Sequence, residues 1–159
     1  MATFTTTQAG LQTNEVDAKR ASGEKLHARL RVAYVQYSAD GTQAADDLIN
    51  LFYAEKPITI HPELCTVHAS AALAATAATI DVGDDSGWTH ITPDEDRYAD
   101  GIDVGAAGLD FFTAPAVPAA VGTPYTTTKG GWVQAKIATL TGAASSSAVL
   151  TFKIIYSIN

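Results

Sequence analysis

Four aspartates crowd into one short segment, at positions 94, 96, 100 and 103 between Pro93 and Val104. Carboxylate oxygens are ligands that Ca²⁺ prefers, so Asp94, Asp96, Asp100 and Asp103 form a candidate calcium set. Their spacing departs from an EF-hand loop, which requires oxygen ligands at positions 1, 3 and 5 and glycine at 6. Counted from Asp94, position 5 is Tyr98 and position 6 is Ala99. A calcium site of another kind stays open, beside a plainly solvated loop and a loop that faces a basic partner. Carboxylate pairs of the sort used in glycoside hydrolysis arise by chance in so acidic a segment.

Other chemistry-bearing residues are scattered. His27, His61, His68 and His90 include no pair at helical i, i+4 spacing, so a zinc site would have to assemble across the fold. Cys65 is the single cysteine, which excludes an intrachain disulfide and a multi-cysteine zinc site. It lies in the run Leu64 to His68, which reads as a strand, and a buried small hydrophobe is its simplest role. A reactive thiol paired with His68 would need a third group to orient it. Ser145, Ser146 and Ser147 form a flexible turn, without the Gly-x-Ser-x-Gly pattern of a nucleophile elbow. Neither Gly122 nor Gly130 and Gly131 has the glycine spacing of a phosphate loop. Trp88, Tyr98, Tyr125 and Trp132 could build a carbohydrate-stacking platform. Trp88, in the acidic segment, is the better exposed contact, and Trp132, at the head of a patterned strand, reads as core or rim. No catalytic residue and no cofactor is expected.

Charge narrows the partners. The 159 residues carry 10 basic and 17 acidic side chains, a net charge of −7. Residues 81–110 alone hold nine acids against Arg97. Nucleic-acid affinity rests on cations that displace phosphate counterions, so a chain with pI near 4.8 is a poor candidate for it. Lys19, Arg20, Lys25, Arg29 and Arg31 make a modest basic cluster, read as surface charge on a strand and its leader. The longest apolar stretch, Ala69 to Ala78, falls far short of the ~20 residues that span a bilayer. No membrane partner is expected, and the polar start resembles no secretory signal. The expectation is a soluble protein made in a cytoplasm.

The elements that must position these residues are strands. Small and β-branched residues dominate, and only 17% of side chains are charged. Residues 1–24 are too polar to build a core and read as an extended arm, with a short helix near Asn14 to Arg20. From Lys25 to Tyr37, Leu26, Ala28, Leu30, Val32 and Tyr34 share one parity, opposite His27, Arg29 and Arg31. That period of two predicts a strand with one buried and one wet face. Short runs follow at Leu48 to Tyr53, Ile58 to Ile60 and Leu64 to His68. The Ala-rich stretch to Ala78 leads into a strand near Ile80. Gly83 to Gly108 reads mostly as loop, with a turn of helix at Pro93 to Tyr98. A short strand runs from Gly108 to Thr113, and Ala114 to Tyr125 is an irregular link. Trp132 to Leu140 and Ala148 to Ile158 both alternate, and the Gly142 to Ser147 turn between them predicts a hairpin. Seven to nine strands without βαβ units predict an all-β, two-sheet antiparallel sandwich over residues 25–159, with jelly-roll topology the leading variant.

The order of these features is itself informative: a polar leader, the Lys25 to Tyr34 strand, the Asp47 to Phe52 run and the Ala/Thr-rich approach to Ile80 to Asp85. Asp96, Arg97 and Tyr98 come next, then the closing Trp132 strand, glycine turn and final strand. Over most of residues 25–159 this resembles small virion structural proteins of tailed bacteriophages, of the capsid decoration (cement) or minor head type. In such proteins a Gly-Asp-x-Asp segment runs quickly into Asp-Arg-Tyr; here Ser86 to Glu95 intervene, with Trp88 and Pro93 among them.

The resemblance implies a non-enzymatic sandwich that binds an assembled capsid lattice, with the major capsid protein or other virion proteins as partners. It implies a homo-oligomer about a symmetry axis, a trimer favoured, on the exterior of a virion assembled in the host cytoplasm. Partner-contact candidates on this reading are Phe4, Leu11, Val16 and Arg20 of the arm, with Trp88, Arg97 and Tyr98. A tail or fibre component is the near alternative. A carbohydrate- or calcium-binding β-sandwich module is the alternative from another class.

Overall fold

The computed structural model describes residues 30–55, 58–84, 94–112, 125–126 and 131–158. The arm 1–24 lies outside them, with its expected helix and Phe4, Leu11, Val16 and Arg20. So do Trp88 and nearly all of the Ala114 to Tyr125 link.

Ten strands make up the described chain: β1 Leu30–Ser38, β2 Leu48–Ala54, β3 Ile58–Ile60, β4 Thr66–Ala69, β5 Ala77–Asp84, β6 Asp94–Asp103, β7 Gly108–Phe111, β8 Tyr125–Thr126, β9 Gly131–Thr141 and β10 Val149–Ile158. A single 3-10 turn at Pro62–Leu64 separates β3 from β4, where Pro62 fixes its own φ at the turn's first position. No helix among the described residues is long and apolar enough to cross a membrane.

The strands form two antiparallel sheets. In the six-stranded sheet β10 pairs along its length with β1, and on its other edge with β4 and β3; β7 and β8 complete that far side. The four-stranded sheet runs β2-β9-β5-β6. If β3 and β4 count as one interrupted strand, and β7 and β8 as another, each sheet has four strands. Successive strands then cross between the sheets except at the β5–β6 pair, which is the jelly-roll arrangement. Ile80, Val82, Val133, Ala135 and Ile137 of one sheet and Ile60, Val67, Leu150, Phe152 and Ile154 of the other are buried between them. Alternation of these branched residues with outward polar ones orients both β9 and β10, as the period of two predicts.

Three sequence expectations change. First, β9 and β10 are not a hairpin. β9 pairs with β2 and β5, and β10 with β1, β3 and β4, so the Gly142 to Ser147 segment carries the chain from one sheet to the other. Gly142 adopts φ +88°, a left-handed conformation that costs a side-chain-bearing residue more than glycine. A glycine and serine turn between two alternating strands looks the same in sequence whether the strands share a sheet or face each other.

Second, residues 94–103 are a strand, not a loop with a helical turn. Acidic residues and glycine lower β propensity, but pairing to β5 and burial of Ile102 and Ala99 override it. Two residues, Asp100 and Gly101, oppose the single Asp81 between the pairs Val82–Ala99 and Ile80–Ile102. Gly101 takes φ +65° at this bulge, and its N–H donates to Asp81 Oδ1 at 2.8 Å.

Third, the expected parity of β1 is reversed. Ala33, Val35 and Tyr37 pack against the core, whereas Leu30, Val32 and Tyr34 are 55%, 46% and 70% exposed. Both parities of this strand are apolar beyond Arg31, so alternation alone did not orient it. Pairing to β10, with Val35 opposite the buried Phe152, decides the face.

Candidate interaction surfaces

The acidic segment is organised by a buried ion pair. Asp84, at the end of β5, has a fully buried side chain, and Arg97 Nε lies 2.5 Å from its Oδ2. Tyr98 Oη donates to the same oxygen at 3.3 Å. Burial of a carboxylate is tolerable only with such compensation. Tyr98 is 0% exposed and the Arg97 side chain 15%, so the two serve the interior of the protein. Tyr98 therefore has no accessible surface of its own to offer a partner, and Arg97 keeps a small one.

The calcium candidates all lie on β6. Asp96 and Asp103 lie toward opposite ends of that strand, with the Asp100 and Gly101 bulge between them. Asp103 Oδ1 instead accepts the Gly105 N–H at 2.8 Å. Among the described residues no three His, Cys, Asp or Glu side chains gather in a metal-holding group.

Cys65 is buried, in keeping with its reading as a small core residue. Its Sγ lies 3.2 Å from the His61 carbonyl and accepts the Ile155 N–H at 3.2 Å. Burial pushes the thiol up to about 11, so it stays protonated and unreactive near neutral pH. His68 is exposed on β4, whose neighbours Val67 and Ala69 are buried, so it faces away from the interior that holds the thiol.

What the fold does bring to the surface is apolar. The outer side of the six-stranded sheet carries Leu30, Val32 and Tyr34 on β1 at one edge and Leu109 and Phe111 on β7 at the other, all exposed. The cross-strand rows Tyr34–Lys153–Thr66–Phe111 and Gln36–Thr151–His68–Leu109 place them on a common face. On the other sheet Tyr53 and Trp132 are cross-strand partners, with ring centroids 5.4 Å apart and an edge-on angle of 66°. Trp132 is therefore a rim residue. A cavity of about 300 Å³ opens beside this pair, lined by Arg31, Phe52, Tyr53, Ile58, Tyr156 and Ile158. Phe52 and Tyr156 stack at 5.4 Å across its floor, tying the two sheets together.

Sequence reasoning had placed Leu30, Val32 and Tyr34 in the core and so missed them as surface. The available signal was the second apolar set, Ala33, Val35 and Tyr37, on the opposite parity. A strand apolar on both faces must either be buried on both or present one to a partner.

No protein-family model matches the chain, and no curated protein does. Solved structures do. A chain in the capsid of Ralstonia phage GP4 superposes with a TM-score of 0.57 at 14% identity, over 82% of this chain and 85% of that one. The likeness is one of fold. Chains of the Cyanophage Pam1 capsid asymmetric unit (TM-score 0.49, 18% identity, 82% and 86% covered) and of the acidic stable capsid of Helicobacter pylori bacteriophage KHP30 (0.48, 13%, 81% and 87%) align over similar lengths.

Proposed function

We propose that this protein is a non-enzymatic virion structural component of a tailed bacteriophage, which binds the assembled capsid lattice from outside as a decoration protein. The supporting observation is the jelly-roll fold shared with a chain of the Ralstonia phage GP4 capsid over most of both chains. That is an argument by analogy of fold, since one fold hosts many functions. The surface adds a physical argument. Exposed large apolar residues on a sheet face, Leu30, Val32, Tyr34, Leu109 and Phe111, are the kind of patch that marks a protein–protein contact. The arm, with Phe4, Leu11, Val16 and Arg20, would extend the contact onto neighbouring subunits. Trp88 remains a contact candidate on the same reading, and the acidic segment would face basic lattice surface or solvent.

Co-sedimentation of the purified protein with undecorated phage capsids tests the proposal. Saturable binding that weakens when Phe111 and Leu109 are replaced by serine is the expected result. Absence of binding at every salt concentration removes the capsid reading.

One observation favours a second reading, carbohydrate binding: the exposed Tyr53–Trp132 pair beside the cavity. Jelly rolls include lectin domains, and aromatic side chains combine an apolar body with a polar tip. Calorimetry against a glycan panel, with Trp132→Ala as control, separates the two. A saturable heat that the substitution abolishes selects the sugar.

A further inference from the structure

The outer edge of β1 is unlike the other sheet edges. An open edge strand presents unpaired N–H and C=O groups to any other strand, and proteins guard such edges with charge, bulges, proline or brevity. Each of the other described edges carries one of these guards. β6 is rich in acids, β2 is interrupted by a bulge at Leu51, and β7 and β8 are four and two residues long. β1 runs for nine residues in unbroken register with β10, contains neither proline nor glycine, and bears a single charge, Arg31. Its other edge has no partner strand among the described residues.

We propose that this edge is completed by the same strand of a second copy, antiparallel about a two-fold axis at Tyr34, so that the six-stranded sheets of two molecules become one. The strand is self-complementary in that register. Centring on Tyr34 uses all nine residues, with Leu30 opposite Ser38 of the second copy and Val32 opposite Gln36. The exposed outer residues of both copies then join into one apolar band across the axis, with Tyr34 beside its own counterpart. Arg31 falls opposite Tyr37 of the second copy, so the only charge on the strand meets no like charge. An isologous contact of this kind closes on itself and yields a pair, not the trimer that the resemblance implies. The inference stands on the strand edge alone and is independent of the capsid reading.

Mass measurement on the full-length chain and cysteine cross-linking test it together. Light scattering is expected to give a species of about 33 kDa, twice the chain mass, falling to the 16.6 kDa of one chain in Tyr34→Lys, where two cations face each other at the axis. Tyr34 is 70% exposed, so that variant leaves the single molecule folded, which circular dichroism verifies. Directly opposed Cα atoms lie about 4.5–5.5 Å apart in an antiparallel pair, within reach of a disulfide. Tyr34→Cys is therefore expected to form a covalent pair under mild oxidation, and Ser38→Cys, set opposite Leu30, is not. The native Cys65 is buried and does not compete. A monomer at all concentrations, a trimer, or cross-linking through Ser38→Cys in preference to Tyr34→Cys would each overturn the proposal.

Discussion

Arg97 Nε lies 2.5 Å from Asp84 Oδ2, joining the adjacent strands β6 and β5 through a charge pair whose acidic half is fully buried. Within so acidic a segment, its one cation, Arg97, is set against Asp84, the buried carboxylate among the described residues.

Arg97→Ala would leave Asp84 buried without its cation. Losing one member of a buried pair costs about 3–5 kcal/mol, and the slight exposure of Arg97 favours the lower end. Urea unfolding should show that loss. Asp84→Asn introduced with Arg97→Ala should recover part of it, because no charge is then stranded. Equal losses in the single and double variants would show that the ion pair is not what holds the strands.

Cys65 makes stability fall with alkaline pH. Its thiol ionises near 9.0 when unfolded and at about 11 when folded, so between those values the unfolded chain releases a proton that the native protein retains. Stability is therefore unaffected below pH 9 and declines as pH rises to 11, by roughly 2–3 kcal/mol at 1.36 kcal/mol per pH unit. Tyrosines and lysines also titrate there, so the measured quantity is the difference between the native protein and Cys65→Ala. Parallel pH profiles for the two would contradict the assignment.

The reversed parity of β1 is open to a direct contrast. Tyr34→Lys alters an exposed side chain and should change the stability of the single molecule by no more than about 0.5 kcal/mol. Val35→Lys places an ammonium group against the core beside Phe152 and should cost at least about 2 kcal/mol. The opposite ranking in thermal melts would restore the alternation read from sequence.

Gly142 tests the crossing between sheets. An added Cβ would sit 3.0 Å from Thr76 Oγ1 and 3.3 Å from Ala75 Cβ, at a φ of +88°. Gly142→Ala is expected to lose about 1–2 kcal/mol from the backbone alone. Gly108→Ala, whose Cβ would meet nothing within 4 Å, should be neutral or gain up to about 1 kcal/mol. Denaturant midpoints at constant m-value provide the comparison.

Much of the architecture was legible from local pattern. Val133, Ala135 and Ile137 in β9 and Leu150, Phe152 and Ile154 in β10 alternate with more polar residues, and each strand buries the face its alternation indicates. The lone Cys65, flanked by strand-forming residues, reads correctly as core. These features depend on near neighbours in the chain, and near neighbours are what a sequence displays.

Tertiary structure alone decided the rest. Whether β9 and β10 share a sheet depends on which strand meets each edge, and their common turn chemistry is silent on that. Leu30, Val32 and Tyr34 against Ala33, Val35 and Tyr37 is a choice between two apolar faces, settled by the partner β10 offers. Residues 94–103 became a strand through pairing to β5 and burial of Ala99 and Ile102, with Arg97 meeting Asp84 13 positions away. In each case the deciding free energy comes from burial and pairing between segments distant in sequence, which exists only once the sheets have closed on one another.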